Sequence, residues 1–295
     1  MTNKKRMLLA FAVLSACTAV SCKHSASVIV GSKNFTEQII LGEIAAQQIE
    51  RRLHVSVERR LDLGGTLLAH LSLVKGEIDL YPEYTGTALT SVLKKPLSPD
   101  PENVFRTVET AYDKQFHLSW LPPIGFNDSF AMVVRKEDAQ PLGRQDLSAA
   151  QSRKWRLGVG YEFLTRPDGL RRLNMLYRIA WNGVARTMDL GLLYRALDQR
   201  QIDMAAANST DGLLTSGRYA ILADDRHAFP PYQACFVVRD AELTRQPQLR
   251  EIMMQLSGSI DDEAMRQLNR RVDIEHQPVV RVAADFLQQL DQKKR

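Results

Sequence analysis

Residues 68–80 read LAHLSLVKGEIDL, from Leu68 to Leu80, and 124 residues later the chain reads LLYRALDQRQIDM, from Leu192 to Met204. Each copy carries apolar residues at helical spacing, a polar turn, then Ile-Asp and an apolar residue opening a strand. The same offset sets Tyr84 over Asn208, just past each strand. In open α/β sheets, ligands bind beyond the carboxyl ends of the strands. Two such units therefore predict two lobes and one cleft, faced by Tyr84 from one side and Asn208 from the other. The alternative is a chance likeness between two helix–turn–strand units.

Outward from this repeat the chain keeps alternating strands with amphipathic helices, which argues for α/β layers. Val28–Val30 reads as a strand. Asn34 with Glu37 three residues on has the form of a capping box, opening a helix that buries Ile40, Leu41, Ile44, Ala45 and Ile49. A strand is expected at Val55–Val57, and Gly64-Gly65 turn the chain into a helix from Thr66 to Lys75. Asp100-Pro101-Glu102 combines a capping residue with proline at the first helical position. A second half begins with a strand at Phe130–Val134, followed by strands at Leu157–Gly160 and Ile202–Ala206. Helices are expected near 169–177, 190–199 and 280–290. Cys235 sits in the apolar strand Ala234–Val238, where a lone cysteine reads as a small core residue.

The 295 residues are 44% hydrophobic and 25% charged, the composition of a folded soluble chain, and are long enough for two domains. The formal charge of +5 invites a polyanionic partner, but Lys4, Lys5 and Arg6 supply three of those charges in a leader-like segment. Without them the charge is +2, and nucleic acid is not the expected partner. That leader has a basic head, the apolar run Met7–Leu14 and then Leu14-Ser15-Ala16-Cys17, which resembles the lipobox of bacterial lipoproteins. Ala19-Val20-Ser21-Cys22 is a poorer match. Residues 1–16 are thus expected to be a signal peptide and 17–27 a tether lipidated at Cys17, with Cys22 as the alternative anchor. An ordinary signal peptide cut before Val28 is the other reading.

Nothing in the chain demands catalysis. The six histidines are not paired at metal-ligand spacing, and neither a Gly-x-Ser-x-Gly elbow nor a complete phosphate-binding glycine loop occurs. No enzyme activity, metal or cofactor is expected, and Asp79 and Glu83 read as surface or capping groups. Aromatic, turn-rich segments are more informative: 81–87 (YPEYTGT), 125–130 (GFNDSF) and 229–232 (FPPY) place rings and hydroxyls at the expected cleft and crossings. Converging ring faces attract a cation by about 0.5–2 kcal/mol each.

Segment 229–232, with 31–38 (GSKNFTEQ), 63–66 (LGGT), 76–87 (GEIDLYPEYTGT), 160–164 (GYEFL), 188–194 (MDLGLLY) and 209–212 (STDG), resembles the substrate-binding proteins of osmoprotectant ABC transporters, the glycine betaine/carnitine/choline group. The resemblance runs from about Val28 to beyond Tyr232. It implies a two-lobed periplasmic-binding-protein fold of type II-like form that closes by hinge bending, with lobe 1 from 28–129 and 235–295 and lobe 2 from 130–234. It also implies an ammonium cage at Tyr84, Phe130, Tyr232 and Asn208, with Asp128 beside it, and a carboxylate subsite at Lys33, Thr87 and Arg166. The implied protein is an extracytoplasmic, lipid-anchored monomer that captures a quaternary-ammonium zwitterion. It would deliver this to a permease and an ATPase on separate chains.

Two positions depart from the family pattern, which usually has tyrosine where this chain has Phe130 and Asn208. Phe130 keeps its π face. Asn208 removes a wall and offers an amide donor and acceptor, at a cost of about tenfold or more for a trimethylammonium head. A larger or more polar, amino-acid-derived ligand is therefore the alternative, unless another ring such as Tyr161 completes the cage. A sensing module not coupled to transport is the alternative from a different class.

Overall fold

A computed structural model describes residues 27–293. The leader and both candidate anchors, Cys17 and Cys22, lie outside the described residues. Strands β1 (Val28–Gly31), β2 (Val57–Arg60), β3 (Leu80–Tyr84) and β4 (Leu118–Trp120) belong to a first sheet. β5 (Phe130–Arg135), β7 (Leu157–Val159), β9 (Arg186–Thr187), β10 (Met204–Asn208) and β11 (Tyr219–Leu222) form a second. β6 (Lys154–Trp155) and β8 (Ala180–Trp181) pair as a short ribbon, and β12 (Ala234–Arg239) returns to the first sheet. The strand orders are β2-β1-β3-β12-β4 and β11-β5-β10-β7-β9.

Alternation along the strands assigns each side chain to a layer. In β12, Phe236 and Val238 join one core with Ile40, Leu41 and Ile44 of helix α1 (Thr36–Leu53). Cys235 and Val237 join the core on the other face, with Leu73 of helix α2 (Thr66–Val74) and with Val104 and Tyr112 of the helix Pro101–Phe116. Likewise Met132 and Val134 of β5 pack with Trp155 and Leu173, while Ala131 and Val133 pack with Leu193 and Leu197. Each fully buried Leu, Ile or Val contributes about 1.5–3 kcal/mol.

Several local expectations shift. Helix α1 starts at Thr36 with Phe35 in the capping position and no side-chain cap, so Asn34 does not cap it; Glu37 is drawn inward by distant donors described below. Asp100 does cap its helix, accepting from the Glu102 N–H at 3.1 Å. β2 begins at Val57, leaving Val55 outside it, and β3 and β10 each begin two residues after the Ile of the repeat. Asp79 and Glu83 are buried rather than superficial.

The repeat is structural. Asp79 N–H donates to Ile29 O at 2.7 Å, and Asp203 N–H donates to Arg156 O at 2.8 Å. In return, the Asp79 carboxylate accepts from Ile29 N–H at 2.9 Å and the Asp203 carboxylate from Arg156 N–H at 3.0 Å. Ile78 and Ile202 lie against Gly31 and Gly158, where an added Cβ would sit 2.5 Å and 2.4 Å from their Cδ1 atoms.

Between the sheets the chain crosses twice, after β4 and before β12, and the two crossings lie side by side. Asp128 N–H donates to Tyr232 O at 3.1 Å, and Tyr232 N–H donates to Asn127 Oδ1 at 2.6 Å. The return crossing also packs on the turn after β3, where a Cβ on Gly86 would stand 2.5 Å from Pro231 O and 2.7 Å from the Tyr232 ring. Because the first neighbour is backbone, Gly86→Ala is expected to destabilise the protein by about 1–3 kcal/mol. A urea midpoint equal to that of the parent would show that this packing is looser than described.

Candidate functional site

β1, β2 and β3 run parallel, as do β7, β9 and β10, so each sheet gathers the carboxyl ends of three strands along one edge. The residues expected at the site stand on the segments that leave those edges and on the crossings. Tyr84 closes β3, and Asn208 closes β10 opposite Phe130, its antiparallel partner at the start of β5.

Arg166 anchors the arrangement from the second lobe. Its Nε and Nη2 donate to Asp168 Oδ1 and Oδ2 at 3.0 and 2.6 Å, and its Nη1 donates to Thr87 Oγ1 of the first lobe at 3.1 Å. The guanidinium lies 4.8 Å from the Phe130 ring centroid and 5.5 Å from that of Tyr232. Tyr232 OH and Thr90 Oγ1 donate to Asp168 Oδ2 at 2.5 and 3.0 Å. Burial pushes the Asp168 carboxyl up, but the Arg166 charge and these donors hold it below the usual carboxylate range.

Lys33 lies beside Tyr84, with Nζ 5.0 Å from the ring centroid and 2.5 Å from Glu83 Oε1. Glu83 also accepts from Tyr81 OH and Tyr84 N–H. Each cation expected to meet a ligand carboxylate therefore already faces a buried carboxylate of its own.

Behind Tyr84 is a buried acidic cluster. Glu37 Oε1 accepts from Tyr84 OH at 2.6 Å, and its Oε2 accepts from Asn269 Nδ2 at 3.2 Å. Thr210 Oγ1 lies 2.5 Å from Glu37 Oε2 and 2.9 Å from Asp128 Oδ1. One hydroxyl proton serves only one of these contacts, so the other requires a carboxyl proton. Burial accordingly pushes Glu37 up to about 7, against the Thr210, Tyr84 and Asn269 donors, and raises Asp128 well above its ordinary value. Asp211 is pushed up to about 6 by burial, against the Asn208 N–H and Tyr194 OH donors.

All eight residues expected from the sequence thus fall in one connected region: Lys33, Tyr84, Thr87, Asp128, Phe130, Arg166, Asn208 and Tyr232. Asn208 is half-buried, and its side-chain amide has no hydrogen-bond partner among the described residues. Tyr161 is 71% exposed and does not complete a ring wall. Sequence reasoning missed Asp168, Thr90, Thr210 and the inward role of Glu37. For Glu37 a signal existed: it stands three, four and seven residues before Ile40, Leu41 and Ile44, an acid on the buried stripe. Among the described residues, no group of three or more His, Cys, Asp or Glu could hold a metal ion.

The raised value of Glu37 fixes a sign. A carboxyl moved from 4.5 to about 7 contributes its full stability below pH 4.5 and loses it as pH rises towards 7. Relative to Glu37→Gln, which stays neutral, the parent is expected to lose about 3 kcal/mol across that window. Urea unfolding of both at pH 5 and pH 8 checks this; a constant difference would overturn it.

The profile of the substrate-binding domain of ABC-type glycine betaine transport systems matches residues 26–289. The chain is 34% identical to the glycine-betaine-binding protein of Pseudomonas aeruginosa, over 92% of this chain and 90% of that one. It is also 34% identical to the ergothioneine transport permease/ergothioneine-binding protein of Helicobacter pylori, over 89% of this chain but only 47% of that protein, so it spans about half that relative's length. A crystal structure of a glycine betaine/carnitine/choline ABC transporter superposes with a TM-score of 0.76 at 28% identity, covering 89% of this chain and 98% of that one.

Proposed function

From the premise that the chain belongs to the substrate-binding family of ABC-type glycine betaine transport systems, a family of extracytoplasmic binding proteins and not of enzymes, we propose that its cleft takes a net-neutral zwitterion. The ligand's carboxylate meets Arg166 and Thr87, and its quaternary ammonium meets the rings of Tyr84, Tyr232 and Phe130. A permease and an ATPase on other chains then receive it. In this reading the mature protein is a monomer in the periplasm or at the outer face of the cell membrane, anchored by a lipid on Cys17, or on Cys22 in its place.

The observation that carries the proposal is the pairing of charges. Arg166 is answered by Asp168 and Lys33 by Glu83, burial holds Glu37 and Asp128 towards their neutral forms, and the remaining carboxylate, Glu162, is turned onto Thr66, so the cleft presents donors and π faces without a large net charge. A bare cation or anion would bring an unmatched charge into a buried site, whereas a zwitterion brings none. Arg166 suits the carboxylate because its planar fork is pre-organised by Asp168 and the rings beneath it.

Asn208 favours a ligand with a polar group beside the ammonium, such as an amino-acid betaine. Its amide has no hydrogen-bond partner among the described residues, it stands across from Phe130, and the exposed Tyr161 does not take the place of a ring there. The name of the Helicobacter relative is in keeping with this, since ergothioneine is such a compound.

Calorimetric titration with glycine betaine, proline betaine, carnitine, choline and betainised histidine tests the reading. Zwitterions are expected to bind at least tenfold tighter than choline, and Arg166→Ala to weaken them about a hundredfold or more. Choline binding as tightly as the zwitterions, with no response to Arg166→Ala, would overturn the carboxylate assignment. Asn208→Tyr is expected to strengthen glycine betaine binding about tenfold; no gain would remove Asn208 as the residue that sets ligand choice.

A further inference from the structure

Two segments singled out in the sequence, 63–66 and 160–164, have no part in the ligand contacts above, yet they meet across the cleft. Glu162 Oε1 accepts from Thr66 N–H at 2.7 Å, and Glu162 Oε2 accepts from Thr66 Oγ1 at 3.1 Å. Thr66 is the first residue of α2 in the first lobe; Glu162 follows β7 in the second. Helix α2 has Gly65 in its capping position and no side-chain cap from its own lobe. The second lobe therefore supplies the acceptor for an N–H that the helix leaves unpaired.

We propose that the Glu162–Thr66 contact is a latch that forms on lobe closure and sets how long the cleft holds its ligand. It rests on the reading that the lobes close on a bound molecule. Position is the first argument. The crossings join β4 to β5 and β11 to β12, whereas β2 and β1 in the first sheet and β7 in the second lie towards the opposite ends. The segment 63–66 lies against the residues that follow β1, with Leu63 N–H donating to Ser32 O at 3.0 Å and Asn34 N–H to Gly64 O at 3.1 Å, and β1 is two strand spacings from β12, about 9 Å. A hinge rotation of ~15° moves a point at that distance by about 2.5 Å, enough to break both hydrogen bonds. Contacts near the crossings move far less.

Space and charge give two further arguments. A Cβ on Gly65 would stand 2.8 Å from Glu162 Oε1, so glycine is what lets the carboxylate reach the helix end. Burial pushes the Glu162 carboxyl up, but Lys33, Arg166 and the Thr66 donors together hold it below the usual range, so it is ionised where the positive end of α2 favours an anion. Glu162 Oε2 is also 3.5 Å from Arg166 Nη1, which joins the latch to the carboxylate subsite.

Gly65→Ala and Glu162→Gln, each in the full chain, test the proposal. Gly65 has φ of −76°, which alanine adopts freely, so its new methyl displaces only the end of the Glu162 side chain, which also gives up its 3.5 Å approach to Arg166 Nη1 while the Asp168 and Thr87 partners of Arg166 stay in place. Small-angle X-ray scattering without added ligand is expected to show both variants more open than the parent. Stopped-flow release of glycine betaine is expected to be about tenfold faster in each. The double variant is expected to be no faster than the faster single, because both remove one contact. Parent-like scattering and release in both variants, or additive effects in the double, would overturn the latch. A parent that binds no glycine betaine would count against the ligand assignment, while the scattering comparison still decides the latch.

Discussion

Burying the Arg166 guanidinium is the constraint on which the cleft depends. Removing an ion of this size from water costs several kcal/mol even after relaxation, and only well-aimed partners offset it. Asp168 answers two of its nitrogens, Thr87 a third, and Phe130 and Tyr232 present π faces. Those partners come from both lobes and from the return crossing. The residue that suits a ligand carboxylate is thus also one that rewards bringing the lobes together. Asp168 in turn stays ionised only while Arg166, Tyr232 and Thr90 face it, so the clamp and its support depend on each other.

The lobes are tied differently at the two ends of the cleft. Near the crossings, Thr210 joins Glu37, Asp128 and Asn269, and Arg266 Nε donates to Ser209 O at 2.9 Å. These contacts pass through main chain that neighbours the crossings and are built largely of groups whose protons are shared. Away from them the ties are Arg166 to Thr87, Thr90 to Asp168 and the Glu162 carboxylate on a helix terminus.

What was legible in the sequence is what short-range pattern controls. The apolar run 234–238 placed Cys235 in a core strand, helical spacing placed Ile40, Leu41 and Ile44 inside, and Asp100-Pro101 began its helix where expected. Asn34 with Glu37 failed because a capping box is a local competition. Here Thr210 and Asn269, 173 and 232 residues away, supply Glu37 with partners that no local pattern encodes. Glu83 and Asp79 misled for the same reason: acids read as superficial were buried against Lys33, and against Arg239 and Arg245. The eight expected site residues were named because the motifs carrying them resemble a known group; spacing alone pointed to a cleft faced by Tyr84 and Asn208.

The internal repeat separates scaffold from chemistry. In both lobes an Ile fills the space over a glycine of a neighbouring strand, and the following Asp exchanges two backbone-directed hydrogen bonds with the strand beside it. Each Asp is also met by two arginines, Arg239 and Arg245 for Asp79, Arg135 and Arg156 for Asp203. These contacts fix where the next strand begins and hence where its last side chain emerges. At that point the copies part: one strand ends in Tyr84, stacked on Phe35 and bonded to Glu37, the other in Asn208, whose amide is left to the cleft. The fold dictates that something from each lobe stands at these two places. Tyr84 is built into the core of its lobe, whereas the side-chain amide of Asn208 makes no hydrogen bond among the described residues, so of the two places it is the second whose side chain can change without disturbing the lobe that carries it.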